Sequence, residues 1–208
     1  MRGLYAITPE GLHGAALVEA AAQALAGGAR VLQYRDKSGD RARRLADATA
    51  LCGLCRTHGA LFIVNDDLEL ARACGAHGVH LGREDATPEE ARARLGKEAV
   101  IGLSCYDQWE RALQAASAGA DYIAFGAFYP SPTKPGTVRA GPELLRRARR
   151  ELGLPVVAIG GITAENAQPL IEAGADMVAV IQGLFARPDI RAAARRISAL
   201  FEPSRGAS

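Results

Sequence analysis

The sequence has no excess of charge of either sign and no long apolar run. Its 208 residues include 25 lysines and arginines against 23 aspartates and glutamates, a formal net charge of +2 at pH 7. This balance gives no electrostatic reason to expect nucleic acid or an anionic membrane as a partner. The apolar runs stay below membrane-spanning length, and the first ten residues lack the apolar core of a signal peptide. We therefore expect a soluble protein of the cytoplasm.

Cysteine is also scarce. Three of the four cysteines lie close to three histidines in the chain, in the order Cys52, Cys55, His58, Cys74, His77 and His80. This spacing is compatible with a zinc site. However, the cysteines fall in helical patterns rather than in the loops that usually hold zinc, and a free cysteine is often a small buried apolar residue. We interpret the three as core residues and keep a metal or redox site as the alternative.

Short apolar runs alternate with helical patterns along the chain. We predict eight strands, at residues 4–8, 30–34, 61–65, 78–81, 100–104, 122–125, 156–159 and 177–181. These runs are continuous rather than alternating, as expected for parallel strands that are covered on both faces. Between them the apolar residues recur at helical spacing, and Thr87–Glu90 has the N-cap, proline and glutamate of a helix start. The chain is therefore predicted to alternate strands and helices throughout.

A Gly-Ala motif joins a helix end to each even-numbered strand, at Gly28, Gly75, Gly119 and Gly174. Glycine can take the left-handed conformation after a helix, and alanine lets helix and sheet come close. Four copies over eight βα units predict an α/β fold, a single (β/α)8 TIM barrel built from paired units. An open doubly wound sheet is the alternative. We expect residues 1–201 to form the barrel and residues 202–208 a flexible tail.

The active site of such a barrel lies at the carboxyl ends of the strands. Arg35, Lys37 and Lys134 follow strands there and are cations able to neutralise a polyphosphate. Asp66 and Asp85 follow neighbouring strands and offer the oxygen ligands that suit Mg²⁺. The sequence therefore predicts a magnesium-assisted polyphosphate site.

A second phosphate site is predicted at the ends of strands 7 and 8. Gly160, Gly161 and Gly183 leave backbone N–H groups open, at the position where such barrels often hold a phosphate. The loop after strand 6 contains three prolines, which would order the hydroxyls of Ser131 and Thr133 before a ligand arrives.

No Ser–His–Asp or Cys–His arrangement is apparent from the spacing of the histidines, which are His13, His58, His77 and His80. We interpret His80, inside strand 4, as a core residue. Cations and a metal without a nucleophile fit the departure of pyrophosphate from carbon, in which the protein stabilises the developing anion.

The order and spacing of these motifs resemble the thiamine-phosphate synthase family over nearly the whole chain. The segments that carry the resemblance are LYAIT at 4–8, QYRDK at 33–37, VND at 64–66, GVHLG at 78–82, IGLS at 101–104, PSPTKP at 130–135 and AIGGI at 158–162.

The resemblance implies that a hydroxymethylpyrimidine diphosphate is joined to a thiazole phosphate, giving thiamine phosphate and pyrophosphate. The residues that would hold the pyrimidine diphosphate are Gln33, Arg35, Lys37, Asn65, Ser104 and Lys134. Those that would face the thiazole phosphate are Ser131, Thr133, Gly161, Ile181 and Gln182. Asp66 and Asp85 would bind Mg²⁺, and the catalytic groups would be Arg35, Lys37, Ser104 and Lys134.

Two positions depart from the family pattern. Gln182 stands where the family often has serine, which could alter a hydrogen bond to the thiazole phosphate. Tyr106 stands where histidine is common, and we expect it to lie just outside the residues that touch substrate.

Two other functions are compatible with parts of the pattern. A thiazole tautomerase shares the barrel and the phosphate site but does not need the diphosphate cations or the carboxylate pair. A binding module would hold the same ligands without turnover. The sequence leaves open the oligomeric state, a homo-oligomer included, the preferred thiazole tautomer and any regulation.

Overall fold

Eight parallel strands close into one barrel in sequence order, with β8 paired to β1. The computed structural model describes residues 1–130 and 140–202. Within them the strands are β1 (Gly3–Ile7), β2 (Val31–Tyr34), β3 (Leu61–Asn65), β4 (Gly78–Leu81), β5 (Val100–Tyr106), β6 (Tyr122–Phe125), β7 (Val156–Ile159) and β8 (Met177–Val180). The (β/α)8 prediction is confirmed, and the open sheet is wrong because β1 and β8 are hydrogen-bonded neighbours.

The helices lie between the strands and after β8. They are α1 (Gly14–Ala26), α2 (Arg41–Thr57), α3 (Leu68–Cys74), α4 (Pro88–Leu95), α5 (Trp109–Ser117), α6 (Pro142–Glu151), α7 (Gln168–Glu172), α8 (Gln182–Phe185) and α9 (Ile190–Ala199). The four-residue helix α8 was not predicted, because it is too short to show a periodic pattern. Within the described ranges, no helix is both long enough and apolar enough to cross a membrane.

The Gly-Ala motif has the conformation that its sequence predicts. Gly28, Gly75, Gly119 and Gly174 all have positive φ, between 66° and 116°. A side chain at these positions would strain the backbone, so glycine is needed where each helix turns back into the barrel.

The motif also fixes the start of the preceding strand. Its third residue is His77, Asp121 or Asp176 in three of the copies. Each of these side chains accepts a hydrogen bond from a backbone N–H at the start of β3, β5 or β7, over 2.9, 2.7 and 2.9 Å respectively. One short motif therefore ends a helix, begins a strand and forms a hydrogen bond to the backbone of the preceding strand.

Apolar side chains fill the inside of the barrel below the site. This interior cluster comprises Tyr5, Ile7, Val31, Ile63, Tyr122, Ala124, Val157, Met177 and Ala179. Gly102 of β5 pairs with Tyr122 of β6, and a Cβ atom on Gly102 would lie 2.0 Å from the Tyr122 ring. The missing side chain at Gly102 therefore makes room for a tyrosine ring in the centre of the barrel.

The cysteines pack as apolar residues. Cys52, Cys55 and Cys74 are buried between α2, α3 and the sheet. Burial raises the pKa of the Cys55 thiol to about 12, so this sulfur stays protonated at neutral pH. The described part of the chain holds no group of three or more His, Cys, Asp or Glu side chains placed to bind a metal ion.

Candidate active site

Among residues 1–130 and 140–202, three adjoining cavities open at the carboxyl end of the barrel. The central cavity, of about 200 Å³, lies directly above the barrel core and is lined by Tyr5, Gln33, His80 and Ser104, among others. The polar cavity, of about 670 Å³, lies over β2 to β5 and includes Lys37, Asp66, Arg83 and Asp85. The glycine cavity, of about 210 Å³, lies over β7 and β8 and includes Gly160, Gly161, Ile181 and Gln182.

The polar cavity brings cations and carboxylates together. Arg35 and Lys37 come from the loop after β2, and the ammonium of Lys37 lies 3.8 Å from Oδ2 of Asp66. Arg35 pairs with Glu10 from the loop after β1. Asp85 accepts a hydrogen bond of 2.6 Å from the backbone N–H of Gly82, which turns its carboxylate toward the cavity. Residues from three loops thus line one wall.

Asp66 is held in an uncommon conformation. Its φ of 63° is left-handed, a conformation that costs a non-glycine residue free energy and that is often found at functional sites. Asn65 donates a hydrogen bond to its carboxylate. Burial, and after it the neighbouring carboxyl of Asp85, raise the pKa of Asp66 to about 6. Two carboxylates this close favour a cation between them.

The central cavity has a polar floor. Gln33 donates to the hydroxyl of Tyr5 over 2.8 Å, and that hydroxyl lies 2.8 Å from the hydroxyl of Tyr122. On the other side of Tyr122, His80 lies 3.0 Å from the same hydroxyl and 2.9 Å from Oγ of Ser104. Burial lowers the pKa of His80 to about 4, so the imidazole is neutral at neutral pH.

The glycine cavity depends on close backbone contacts. Gly160 and Gly161 have φ values of 103° and 63°. A Cβ on Gly161 would lie 2.4 Å from the carbonyl oxygen of Pro130, and one on Gly160 would lie 2.4 Å from Cβ of Ala127. The pair therefore lets the chain after β6 pack against the end of β7.

Most of the predicted site residues meet at this end of the barrel. The central and polar cavities are lined by Gln33, Arg35, Lys37, Asn65, Asp66, Asp85 and Ser104, and the glycine cavity by Gly161, Ile181 and Gln182. Ser131, Thr133 and Lys134 lie outside the described residues.

Other residues were missed or misread. Tyr106, expected just outside the residues that touch substrate, lines both the central and the polar cavity. His80, interpreted as a core residue, also lines both cavities. Arg83 and Tyr5 were not among the predicted site residues. Arg83 could have been found from its place between Gly82 and Asp85 in the loop after β4.

The fold and the site together define a barrel enzyme with a cation-lined polar cavity and a separate glycine-lined cavity. A comparison with protein families matches residues 4–184 to the family described as thiamine monophosphate synthase. The chain is 60% identical over 203 residues to the thiamine-phosphate synthase of Thioalkalivibrio sulfidiphilus, covering 97% of this chain and 96% of that one. It is 59% identical over 201 residues to the thiamine-phosphate synthase of Chromobacterium violaceum, covering 97% of each.

A solved structure agrees with these matches. Thiamine phosphate pyrophosphorylase from Pyrococcus furiosus superimposes with a TM-score of 0.88 at 35% identity, over 98% of this chain and 97% of that one. The chain belongs to the thiamine monophosphate synthase family. It is therefore an enzyme, a transferase that releases pyrophosphate, and its activity lies in thiamine biosynthesis.

Proposed function

We propose that the enzyme joins 4-amino-2-methyl-5-hydroxymethylpyrimidine diphosphate to thiazole phosphate, with Mg²⁺ assisting the release of pyrophosphate. The observation that carries this proposal is the wall of the polar cavity, where Lys37, Arg83 and the pair Asp66 and Asp85 face one ligand space. A diphosphate needs both the cationic side chains and the carboxylate pair. The cations neutralise part of its negative charge directly, and the carboxylates hold a metal ion that also binds the phosphate oxygens.

The carboxylate pair fits Mg²⁺ by number and by charge. Mg²⁺ is commonly held by one or two carboxylates together with substrate phosphates and waters, rather than by a full set of protein ligands. Asp66 and Asp85 supply two carboxylates, and burial and the Asp85 carboxyl both raise the pKa of Asp66, two effects that a bound cation would offset. When bound, the ion would neutralise charge that develops on the leaving pyrophosphate.

The protein's own residues would stabilise the same charge. Lys37 and Arg35 come from one loop and Arg83 from another, so cations approach the diphosphate from two directions. Ser104 lies where the central and polar cavities meet. Its hydroxyl would donate a hydrogen bond to the oxygen that leaves with the pyrophosphate. A positioned donor of this kind is typically worth about 3–4 kcal/mol of transition-state stabilisation.

The central and glycine cavities would hold the two rings and the second phosphate. The central cavity combines apolar walls such as Ile7 and Val157 with the Gln33 amide, which suits a small polar ring. The glycine cavity shares Ile159, Gly160 and Ile181 with it, so a thiazole phosphate there would lie beside the pyrimidine. This adjacency is what a joining reaction requires.

The direct test incubates the purified protein with Mg²⁺ and both substrates and measures thiamine phosphate by thiochrome fluorescence. We expect product only when both substrates are present. A protein that interconverts thiazole tautomers without forming thiamine phosphate would be a tautomerase. Binding of both ligands by calorimetry without any turnover would show a binding module. Either result would overturn the proposal.

A further inference from the structure

Five side chains from five strands form one continuous line of hydrogen bonds inside the barrel. In order they are Gln33, Tyr5, Tyr122, His80 and Ser104. Both ends of the line, Gln33 and Ser104, line the central cavity, whereas Tyr122 is buried and lines none of the three cavities described above. Tyr122 therefore connects residues that can touch a ligand without touching it itself.

The direction of hydrogen-bond donation along this line is set by Gln33, at one end. A hydroxyl that both accepts and donates passes the direction on to its neighbour. Gln33 donates through Nε2 to Tyr5, which leaves the Tyr5 proton free to be donated. The other partner of this hydroxyl is that of Tyr122, so we assign Tyr5 as the donor between them. Tyr122 then donates to Nδ1 of His80.

The consequence reaches Ser104. Because Nδ1 of His80 accepts, the proton of the neutral ring lies on Nε2, and His80 donates it to Oγ of Ser104. The Ser104 hydroxyl is left with its own proton to donate toward the cavity. Donation in the opposite direction, from Ser104 toward Gln33, requires the Gln33 amide to be flipped, because its Oε1 must then accept a hydrogen bond from Tyr5.

We propose that Tyr5, Tyr122 and His80 are positioning residues that fix the hydrogen-bonding pattern which Gln33 and Ser104 present to the substrate. With one N–H bound to Tyr5, the Gln33 amide offers its carbonyl oxygen and second N–H. This pair matches an amino group beside a ring nitrogen, as in the pairing of glutamine with adenine. The inference rests on the proposed function, in which an aminopyrimidine ring occupies the central cavity.

The barrel is built to hold this line. The Tyr122 ring occupies the space left by Gly102 and stacks against the His80 ring, with centroids 5.5 Å apart and planes at 21°. It also meets the Tyr5 ring edge-on at 6.0 Å. These contacts hold the hydroxyl of Tyr122 between Tyr5 and His80, so the orientation of this hydroxyl does not depend on the substrate.

The first test reads the tautomer of His80 directly. Nitrogen-15 NMR of the ligand-free protein, labelled at histidine, shows which ring nitrogen carries the proton, and the His80→Gln variant assigns the signal. We expect the proton on Nε2. A proton on Nδ1 would overturn the direction of the line.

The second test is a double-mutant cycle on kcat and on the KM for the pyrimidine diphosphate. We expect Tyr122→Phe to lower kcat roughly tenfold in the wild-type background but less than about twofold in the Ser104→Ala background, because the two residues act as one unit. An equal effect in both backgrounds would mean that Tyr122 is only structural. If Tyr122→Phe does not fold, His80→Gln replaces it in the cycle, because it breaks the line next to Ser104 and leaves Gln33 bonded to Tyr5.

Tyr34→Phe is the matched control. Tyr34 is also buried, but its hydroxyl donates to Asp36 and is not part of the line. Its effect should be the same in both backgrounds. The NMR result needs no substrate, so it stands even if the wild-type protein makes no thiamine phosphate, an outcome that would refute the proposed function instead.

Discussion

The ammonium of Lys37 lies 3.8 Å from Oδ2 of Asp66, so a cation from the loop after β2 faces a carboxylate at the end of β3. Lys37 is itself exposed, and such pairs contribute little to folding stability. The arrangement is better explained by a ligand, because a diphosphate with Mg²⁺ would use both partners at once.

Replacing Lys37 should therefore damage activity more than stability. We expect Lys37→Gln to lower kcat/KM for the pyrimidine diphosphate on the order of 100-fold, the usual loss when a donor to a developing anion is removed. Lys97→Gln, which removes an exposed lysine outside the three cavities described above, is the control. Steady-state kinetics and thermal unfolding of both variants separate the two effects. Equal kinetics for both would contradict the role of Lys37.

Arg83 adds a cation that pattern reasoning did not find. In the described part of the chain it makes no ion pair with a carboxylate; its guanidinium donates to Gln108 and lies 5.2 Å from the Tyr106 ring centroid. We expect Arg83→Gln to raise the KM for the pyrimidine diphosphate roughly tenfold, as expected for one lost hydrogen bond to a charged group.

The control for this prediction is Arg111→Gln. Arg111 also lies over the Tyr106 ring, at 5.5 Å, but does not line the polar cavity. It should change the KM little. If both variants behave alike, the Tyr106 contact and not the diphosphate explains the effect of Arg83.

The glycine cavity allows a test with two glycines of the same conformation. Gly161 and Gly59 have φ values of 63° and 62°. An added Cβ at Gly59 meets no atom of the described residues within 4 Å, whereas at Gly161 it meets Pro130. Alanine at Gly59 should cost about 1 kcal/mol of unfolding free energy from backbone strain alone. Alanine at Gly161 should cost more and should also raise the KM for thiazole phosphate. Denaturant unfolding and kinetics test this, and identical losses at the two positions would show that the contact with Pro130 is unimportant.

His77 should make folding stability depend on pH. Burial lowers its pKa, and its Nδ1 accepts a hydrogen bond from the backbone of Phe62, which protonation would remove. Below the ordinary histidine pKa the unfolded chain binds more protons than the folded one, so stability falls as the pH falls. His77→Asn keeps an acceptor without a titrating ring, and should reduce the slope of unfolding free energy against pH below the ordinary histidine pKa of about 6.5. His80, whose pKa burial also lowers, keeps part of that slope in the variant.

His58→Asn serves as the comparison, because His58 is exposed at the end of α2. That variant should keep the wild-type slope. If His77→Asn leaves the slope of unfolding free energy against pH unchanged, groups other than His77 cause the loss of stability in acid.

The sequence predicts the barrel well, because its determinants are local. The Gly-Ala motif, the apolar runs and the turn residues each act within a few residues, and β3, β4, β6 and β7 have the predicted bounds. The positions of strand-end side chains follow from barrel closure alone, so Gln33, Asn65 and Ser104 line the central cavity as their positions predict, and their roles toward a substrate stay predictions.

The remaining site residues depend on irregular or distant geometry. Tyr106 reaches the cavities because β5 has a register shift between Ser104 and Tyr106 and because Tyr106 has a φ of 55°. Neither feature follows from an alternating pattern. The contact between His80 and Tyr122 joins residues 42 positions apart across the barrel, and it depends on the space at Gly102.

The most direct test of this account measures thiamine phosphate formation as a function of Mg²⁺ concentration, in metal-free buffer, for the wild type and Asp66→Asn. Asparagine tolerates the left-handed conformation of Asp66, so the variant changes the charge while keeping the backbone. We expect no product without Mg²⁺, recovery on its addition, and little recovery for Asp66→Asn at the concentration that saturates the wild type. Full wild-type activity without metal, or the same Mg²⁺ dependence in both proteins, would contradict the account.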